Sequence, residues 1–79
     1  MSSTPTRGRV DSVMEAIVAY LAAHPAAADT ADGIREVWLA GTATAPEVEA
    51  ALERLVGAGA IVGRLLPDGQ VLFAGTGGH

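Results

Sequence analysis

The last third of this 79-residue chain restricts its fold more than any other stretch. Thr44-Ala45-Pro46-Glu47 reads as a capping box with proline in the first helical turn. Val48, Ala51, Leu52, Leu55 and Val56 then recur at helical spacing and form one apolar stripe, while Glu49, Ala50, Glu53, Arg54 and Gly57 point away from it. Gly57-Ala58-Gly59 stops the helix, and two apolar segments, Ile61 to Leu66 and Gln70 to Ala74, flank Pro67-Asp68-Gly69. A turn of that composition needs a residue at positive φ, which Gly69 supplies, so the segments pair as a β-hairpin.

Two helical segments are expected upstream. Asp11 or Ser12 caps the first, with Glu15 completing a capping box after Ser12. Its buried stripe is Val10, Val13, Met14, Ile17, Val18 and Leu21, and it ends at His24-Pro25, because the residue before proline is pushed out of the α region. Ala26 to Ala28 is suited to a very short strand. Asp29 or Thr30 starts the second helix, with Asp32 in the first turn where the macrodipole favours an acid. Ile34, Val37 and Trp38 line one face of it, and Gly41 is its glycine stop. The pattern predicts an α+β fold with helices over about 11–23, 30–40 and 45–57, packed around Ile17, Leu21, Ile34, Trp38, Leu52 and Leu55. Residues 1–9 lack any apolar period and read as a flexible arm, 10–74 as the domain, and the Gly-rich 75–79 as a flexible tail.

Composition narrows the functional classes. Sixteen of the apolar residues are Ala, so the core of a domain this small is thin. The absence of cysteine excludes disulfides, thiolate chemistry and cysteine-based zinc sites. No segment approaches the roughly 20 apolar residues of a membrane span, and no apolar run of signal length follows Arg7 and Arg9, so a cytoplasmic chain with no membrane partner is expected. Nine acidic residues stand against five basic ones, all Arg, for a net charge of −4. Domains that bind nucleic acid usually carry a basic footprint, because phosphate neutralisation supplies most of their non-specific affinity.

The first-helix stripe ending in Leu21-Ala22-Ala23-His24-Pro25, the segment Thr30 to Trp38, and the run from Ala51-Leu52-Glu53-Arg54-Leu55-Val56-Gly57 through Ile61 to Leu66-Pro67-Asp68-Gly69-Gln70-Val71 together resemble the winged helix-turn-helix superfamily of bacterial transcription regulators. The resemblance covers Asp11 to Ala74. It implies a winged helix, a three-helix core with a C-terminal β-hairpin wing, and such modules serve as DNA readers and as protein-interaction modules alike. In the DNA readers the third helix enters the major groove and its exposed side chains reach base edges. Here that helix offers Glu47, Glu49 and Glu53, with Arg54 its only cation. The wing offers Arg64 beside an Asp68 tip. Arg7 and Arg9 in the arm have the chemistry to reach a minor groove, but two arginines do not offset the acidic helix.

Trp38 shares the Ile34 stripe and reads as core, His24 as a cation at a helix C-terminus, and Asp29 and Asp32 as caps. No nucleophile, base and orienting group cluster, and Gly75-Thr76-Gly77-Gly78 precedes no helix, so no catalytic residue, cofactor or metal is expected. The hairpin stands out instead. Ile61-Val62, Leu65-Leu66 and Val71-Leu72-Phe73 do not alternate as a strand packed on one side should, and Leu39 lies off its helix stripe and is a candidate to join them. Either the helices and arm cover these residues or they form an apolar patch of the kind that marks partner sites. The expected function is therefore a non-enzymatic module acting by protein–protein interaction, with a partner or with a second copy. The contact is expected through Leu65, Leu66 or Leu72, with Glu49 and Glu53 at its edge and Arg54 among the partner-binding residues. The alternative is a DNA-binding transcription regulator of the winged helix-turn-helix type.

Overall fold

A computed structural model describes residues 7–76. The expected positions 1–6 of the arm and 77–79 of the tail, His79 included, lie outside the described residues. The chain is α+β. Helix α1 (Arg7–Ala23) is followed by strand β1 (Ala28–Thr30), the single turn α2 (Ala31–Gly33) and a π-helical turn (Ile34–Trp38) that continues it. Helix α3 (Ala45–Gly57) then leads to strands β2 (Ile61–Leu65) and β3 (Val71–Gly75). The three strands form one antiparallel sheet in the order β1-β3-β2.

Helix α3 begins and ends as its sequence dictates. The Thr44 hydroxyl accepts from the Glu47 backbone N–H at 3.3 Å and the Glu47 carboxylate accepts from the Thr44 N–H at 2.9 Å, closing the capping box. At the other end the Ala60 N–H donates to the Leu55 carbonyl and the Gly59 N–H to the Val56 carbonyl, with Gly59 at φ 77°, the paired bonds of a Schellman stop. Helix α1 departs from expectation by starting at Arg7, so Arg7 to Arg9 are helical and Asp11 and Ser12 lie inside the helix instead of capping it. The helix extends backward because Val10 is core, 3% exposed, and holds the first turn against the domain.

The second helical segment is shorter and wider than the pattern predicts. Thr30 caps it, its hydroxyl accepting from the Gly33 N–H at 3.3 Å. The Leu39 N–H then donates to the Ile34 carbonyl five residues back, as in a π turn. Leu39 is buried (5% exposed) in the same core cluster as Ile34 and is not part of a surface patch. Val37, expected on the inner face, is turned out instead. Trp38 packs against the edge of the core and stacks on Tyr20 with ring centroids 4.7 Å apart. The segment ends through two left-handed residues, Ala40 at φ 51° and Gly41 at φ 73°.

The expected short strand lies two residues further on, at Ala28–Thr30, where it pairs with β3 through Asp29 opposite Phe73. In the hairpin Gly63 opposes Phe73 and Leu65 opposes Val71. Leu66 N–H donates to the Gln70 carbonyl at 2.7 Å, Gly69 N–H to the Leu66 carbonyl at 3.0 Å, and Gly69 takes φ 91°. This three-residue turn keeps the strands twisted together. Gly75, assigned to the tail by composition, is the last residue of β3 and pairs with Ile61.

Ile17, Ile34, Val48, Ala51, Leu52, Leu55 and Ile61 form the centre of the core, with Leu21 and Phe73 packed against it. Val18 and Val56, both expected in core stripes, are exposed. Each sits one residue, about 100° of helix rotation, past the last fully buried side chain of its helix, and a core this small covers only a narrow stripe.

Candidate functional site

Glu49, Glu53 and Val56 recur along α3 at spacings of four and three residues and so share a face. That face borders β3. Glu49, Glu53, Val56, Leu52, Phe73 and Ala31 line an open groove of about 320 Å³, apolar on its floor and carboxylate-bearing on its α3 side. Neither Glu49 nor Glu53 is ion-paired among the described residues. Among the described residues the groove therefore presents two carboxylates outside any ion pair beside apolar surface, with Arg35 bordering Glu49 in the adjoining cleft.

The hairpin continues that surface. In a strand successive side chains alternate between faces, so Ile61, Gly63 and Leu65 share one face with Val71, Phe73 and Gly75. Ile61 and Phe73 on this face meet the core, and beyond them Leu65 and Val71 extend past it, 72% and 36% exposed. Phe73 can lie across the sheet because Gly63 has no side chain: a Cβ there would sit 3.1 Å from Val71 Cγ1 and 3.3 Å from Phe73 Cε1. Val56, Phe73, Val71 and Leu65 thus belong to one apolar strip running outward from α3.

Three expected site residues do not belong to this strip. Leu72 sits opposite Arg64 on the other sheet face with Val62, and is half-buried. Leu66 is the half-buried first corner of the turn. Arg54 faces α1, its guanidinium 3.8 Å from Asp11. An exposed pair of this kind contributes little stability, but it directs Arg54 away from the groove. The lack of alternation marks surplus apolar residues without saying where they go, and here the pleat separates Leu65 from Leu72 while the turn takes up Leu66.

Glu47, expected near the exposed reading face, is instead buried at 8% exposure. Its carboxylate accepts from Arg9 Nε at 3.1 Å and Arg9 Nη2 at 3.2 Å, a two-pronged pairing that ties α1 to the start of α3. The hydrogen bond from Arg9, then that from the Thr44 backbone, lower the Glu47 pKa to about 2, and the same contact raises that of Arg9. Arg9 is thereby committed to the fold and not to an arm. His24 is exposed at the end of α1, its ring 4.5 Å from that of Tyr20. Thr30 is the cap, and Asp29 Oδ1 accepts from its N–H at 2.8 Å.

A second apolar groove, which the sequence did not suggest because Val18 was placed in the core, runs along α1 past Met14, Val18, Ala22 and Leu55, with a volume of about 490 Å³. Through Val18 and Ala22 it adjoins a further apolar groove lined by Leu21, Pro25, Ala60 and Gly75 at the end of β3, and one of its two carboxylates, Asp11, already holds Arg54. Among the described residues no three His, Asp or Glu side chains gather closely enough to hold a metal ion, and no helix is long and apolar enough to cross a membrane. Comparison of the chain with protein-family models, curated proteins and solved structures gives no match.

Proposed function

We propose that this chain is a winged-helix module without enzymatic activity that acts by binding a partner protein along the α3–hairpin strip. The element order supports the winged-helix reading: a helix, a short strand, a second helical segment, a third helix and a hairpin whose third strand is supplied by the segment between the first two helices. The observation that carries the functional reading is the groove itself, with unpaired Glu49 and Glu53 flanking Phe73 and Val56 and the apolar strip running on to Leu65. A strip of that composition suits a partner segment with one or two large apolar anchors flanked by Lys or Arg. The apolar contacts would supply affinity and the carboxylates would select the partner and speed encounter.

The same surface is unsuited to DNA. The two carboxylates stand where a reading helix needs donors, Arg9 is held by Glu47, and Arg54 is turned toward Asp11 on α1.

The test uses labelled protein titrated with two amphipathic helical peptides of equal apolar content, one rich in Lys and one rich in Glu, and with random duplex DNA at low salt. Binding of the Lys-rich peptide alone is expected, with resonance shifts centred on Glu49, Glu53, Val56 and Phe73. It should weaken as salt rises and be lost in Glu53→Lys. Tight, salt-sensitive binding of the duplex, or equal binding of both peptides, would overturn the proposal.

A further inference from the structure

The two outer edges of the sheet are managed differently. Strand β1 spans only three residues and runs directly into α2, so it offers little to pair with. Strand β2 spans five, Ile61-Val62-Gly63-Arg64-Leu65, with no proline or lysine and one charge. Natural proteins usually blunt a free edge with short length, charged side chains, proline or a bulge, and of these β2 has only the single charge of Arg64. Among the described residues no strand pairs with its outer edge, and the outward hydrogen-bonding groups can be assigned. Leu66 donates its N–H into β3, and direction alternates along an antiparallel ladder, so Val62 and Arg64 also face β3 while the N–H and C=O of Ile61, Gly63 and Leu65 face outward.

We propose that β2 pairs antiparallel with β2 of a second copy about a two-fold axis at Gly63, joining the two sheets. This goes beyond the partner-groove reading and uses a different part of the surface, with only Leu65 in common. The register is self-complementary. Gly63 opposes Gly63, Ile61 opposes Leu65 and Val62 opposes Arg64, so every outward N–H and C=O of the strand finds a partner. Leu65 and Val62, 72% and 50% exposed in the single chain, both gain a cross-strand neighbour. The Arg64 stem lies along Val62 of the second copy, and no two like charges are directly opposed. At the axis, the missing side chain of Gly63 is covered in each copy by its own Phe73 ring, which completes the strand surface on that face. An isologous pairing of this kind is closed: it consumes both β2 edges and leaves only the short β1 edges, so it ends at a dimer. A single five-residue edge buries less than the roughly 1,200–2,000 Å² of a standard interface, so the dimer dissociates on dilution.

Sedimentation equilibrium of the full chain over a wide concentration range tests this. A monomer–dimer equilibrium is expected. Val62→Lys sets a lysine opposite Arg64 at both ends of the pairing and should raise the dissociation constant about tenfold, since two like-charge pairs replace two favourable ones. Val62→Glu sets a carboxylate opposite Arg64 and should lower it. Loss of apolar contact alone would weaken both variants, so opposite responses identify the register. Leu65→Pro removes an outward N–H without touching the internal ladder and should leave a folded monomer by circular dichroism. If that variant unfolds, the two Val62 variants decide the matter, because their side chain is exposed. A chain that stays monomeric at its highest soluble concentration, or a dimer weakened equally by Val62→Lys and Val62→Glu, would overturn the proposal. So would a dimer lost in Glu53→Lys, which would place self-association in the groove. Binding of the Lys-rich peptide should be unchanged in Val62→Lys, so failure of either proposal leaves the other standing.

Discussion

The inner end of the hairpin and its outer end are made of the same kinds of residue and do opposite things. Ile61, where β2 leaves α3, is 2% exposed, while Leu65, four residues along on the same sheet face, is 72% exposed. The strand does not change character between them. The helices simply end, and a core built largely from valine, isoleucine and leucine covers only the first part of a five-residue strand. Stability therefore resides where α1 packs on α3 and α3 meets the sheet, and the outer hairpin is held mainly by its backbone ladder and turn. Apolar side chains beyond the core's reach contribute little to folding and are available for contacts.

The largest expected effect tests the inner half. Leu52 is 2% exposed at the centre of the core, and Leu52→Ala should cost about 2–5 kcal/mol in urea denaturation, a large share of the roughly 5–15 kcal/mol available to a small domain. An unchanged midpoint would show that the inner end is not where stability lies. Next comes acid. The folded-state pKa of Glu47, about 2, lies below the ordinary 4.5, so the stability it confers is complete above the ordinary value and is lost as pH falls toward 2. Glu47→Gln should flatten that limb of the stability–pH curve, and an unaltered limb would remove the Arg9–Glu47 tie from the account.

Ala40 probes a site outside both regions, in the turn before α3. Its left-handed backbone, φ 51°, costs alanine about 1–2 kcal/mol. Glycine's extra freedom in the unfolded chain offsets about 0.4–1 kcal/mol of that, so Ala40→Gly should stabilise by about 0.5–1 kcal/mol in the same measurement. A loss of stability would indicate that this turn is relaxed. The smallest effect belongs to the outer hairpin: Leu65→Ser should change stability by no more than about 0.5 kcal/mol. A loss comparable with that of Leu52→Ala would erase the distinction between the two ends.

The regular parts of the fold were legible because their signals are local. The capping box at Thr44, the glycine stop at Gly59 and the turn at Gly69 each depend on a few neighbouring residues, and each formed as read. Of the expected core, Ile17, Ile34, Leu52 and Leu55 are buried, and Leu21 and Trp38 pack at its margin. The candidate site was less legible. Glu49 and Glu53 follow from helical spacing alone. Grouping them with Leu66, Leu72 and Arg54 did not, because the sheet register puts Leu65 and Leu72 on opposite faces and Asp11 draws Arg54 toward α1. Phe73, which lines the groove, was visible only as one member of an apolar run.

The sequence by itself determined where helices stop, where the chain reverses and which stripe of each helix is apolar, since these follow from caps, glycines and periodicity within a few residues. Only the tertiary structure decided how far each stripe is covered. Where Ile34–Trp38 forms a π turn, Leu39 is buried and Val37 exposed, and the pairing of Arg9 with Glu47, 38 residues apart, draws the Glu47 carboxylate into the fold. Coverage depends on the reach of neighbouring elements and on contacts distant in sequence, and neither is recorded in the spacing of residues along a single element.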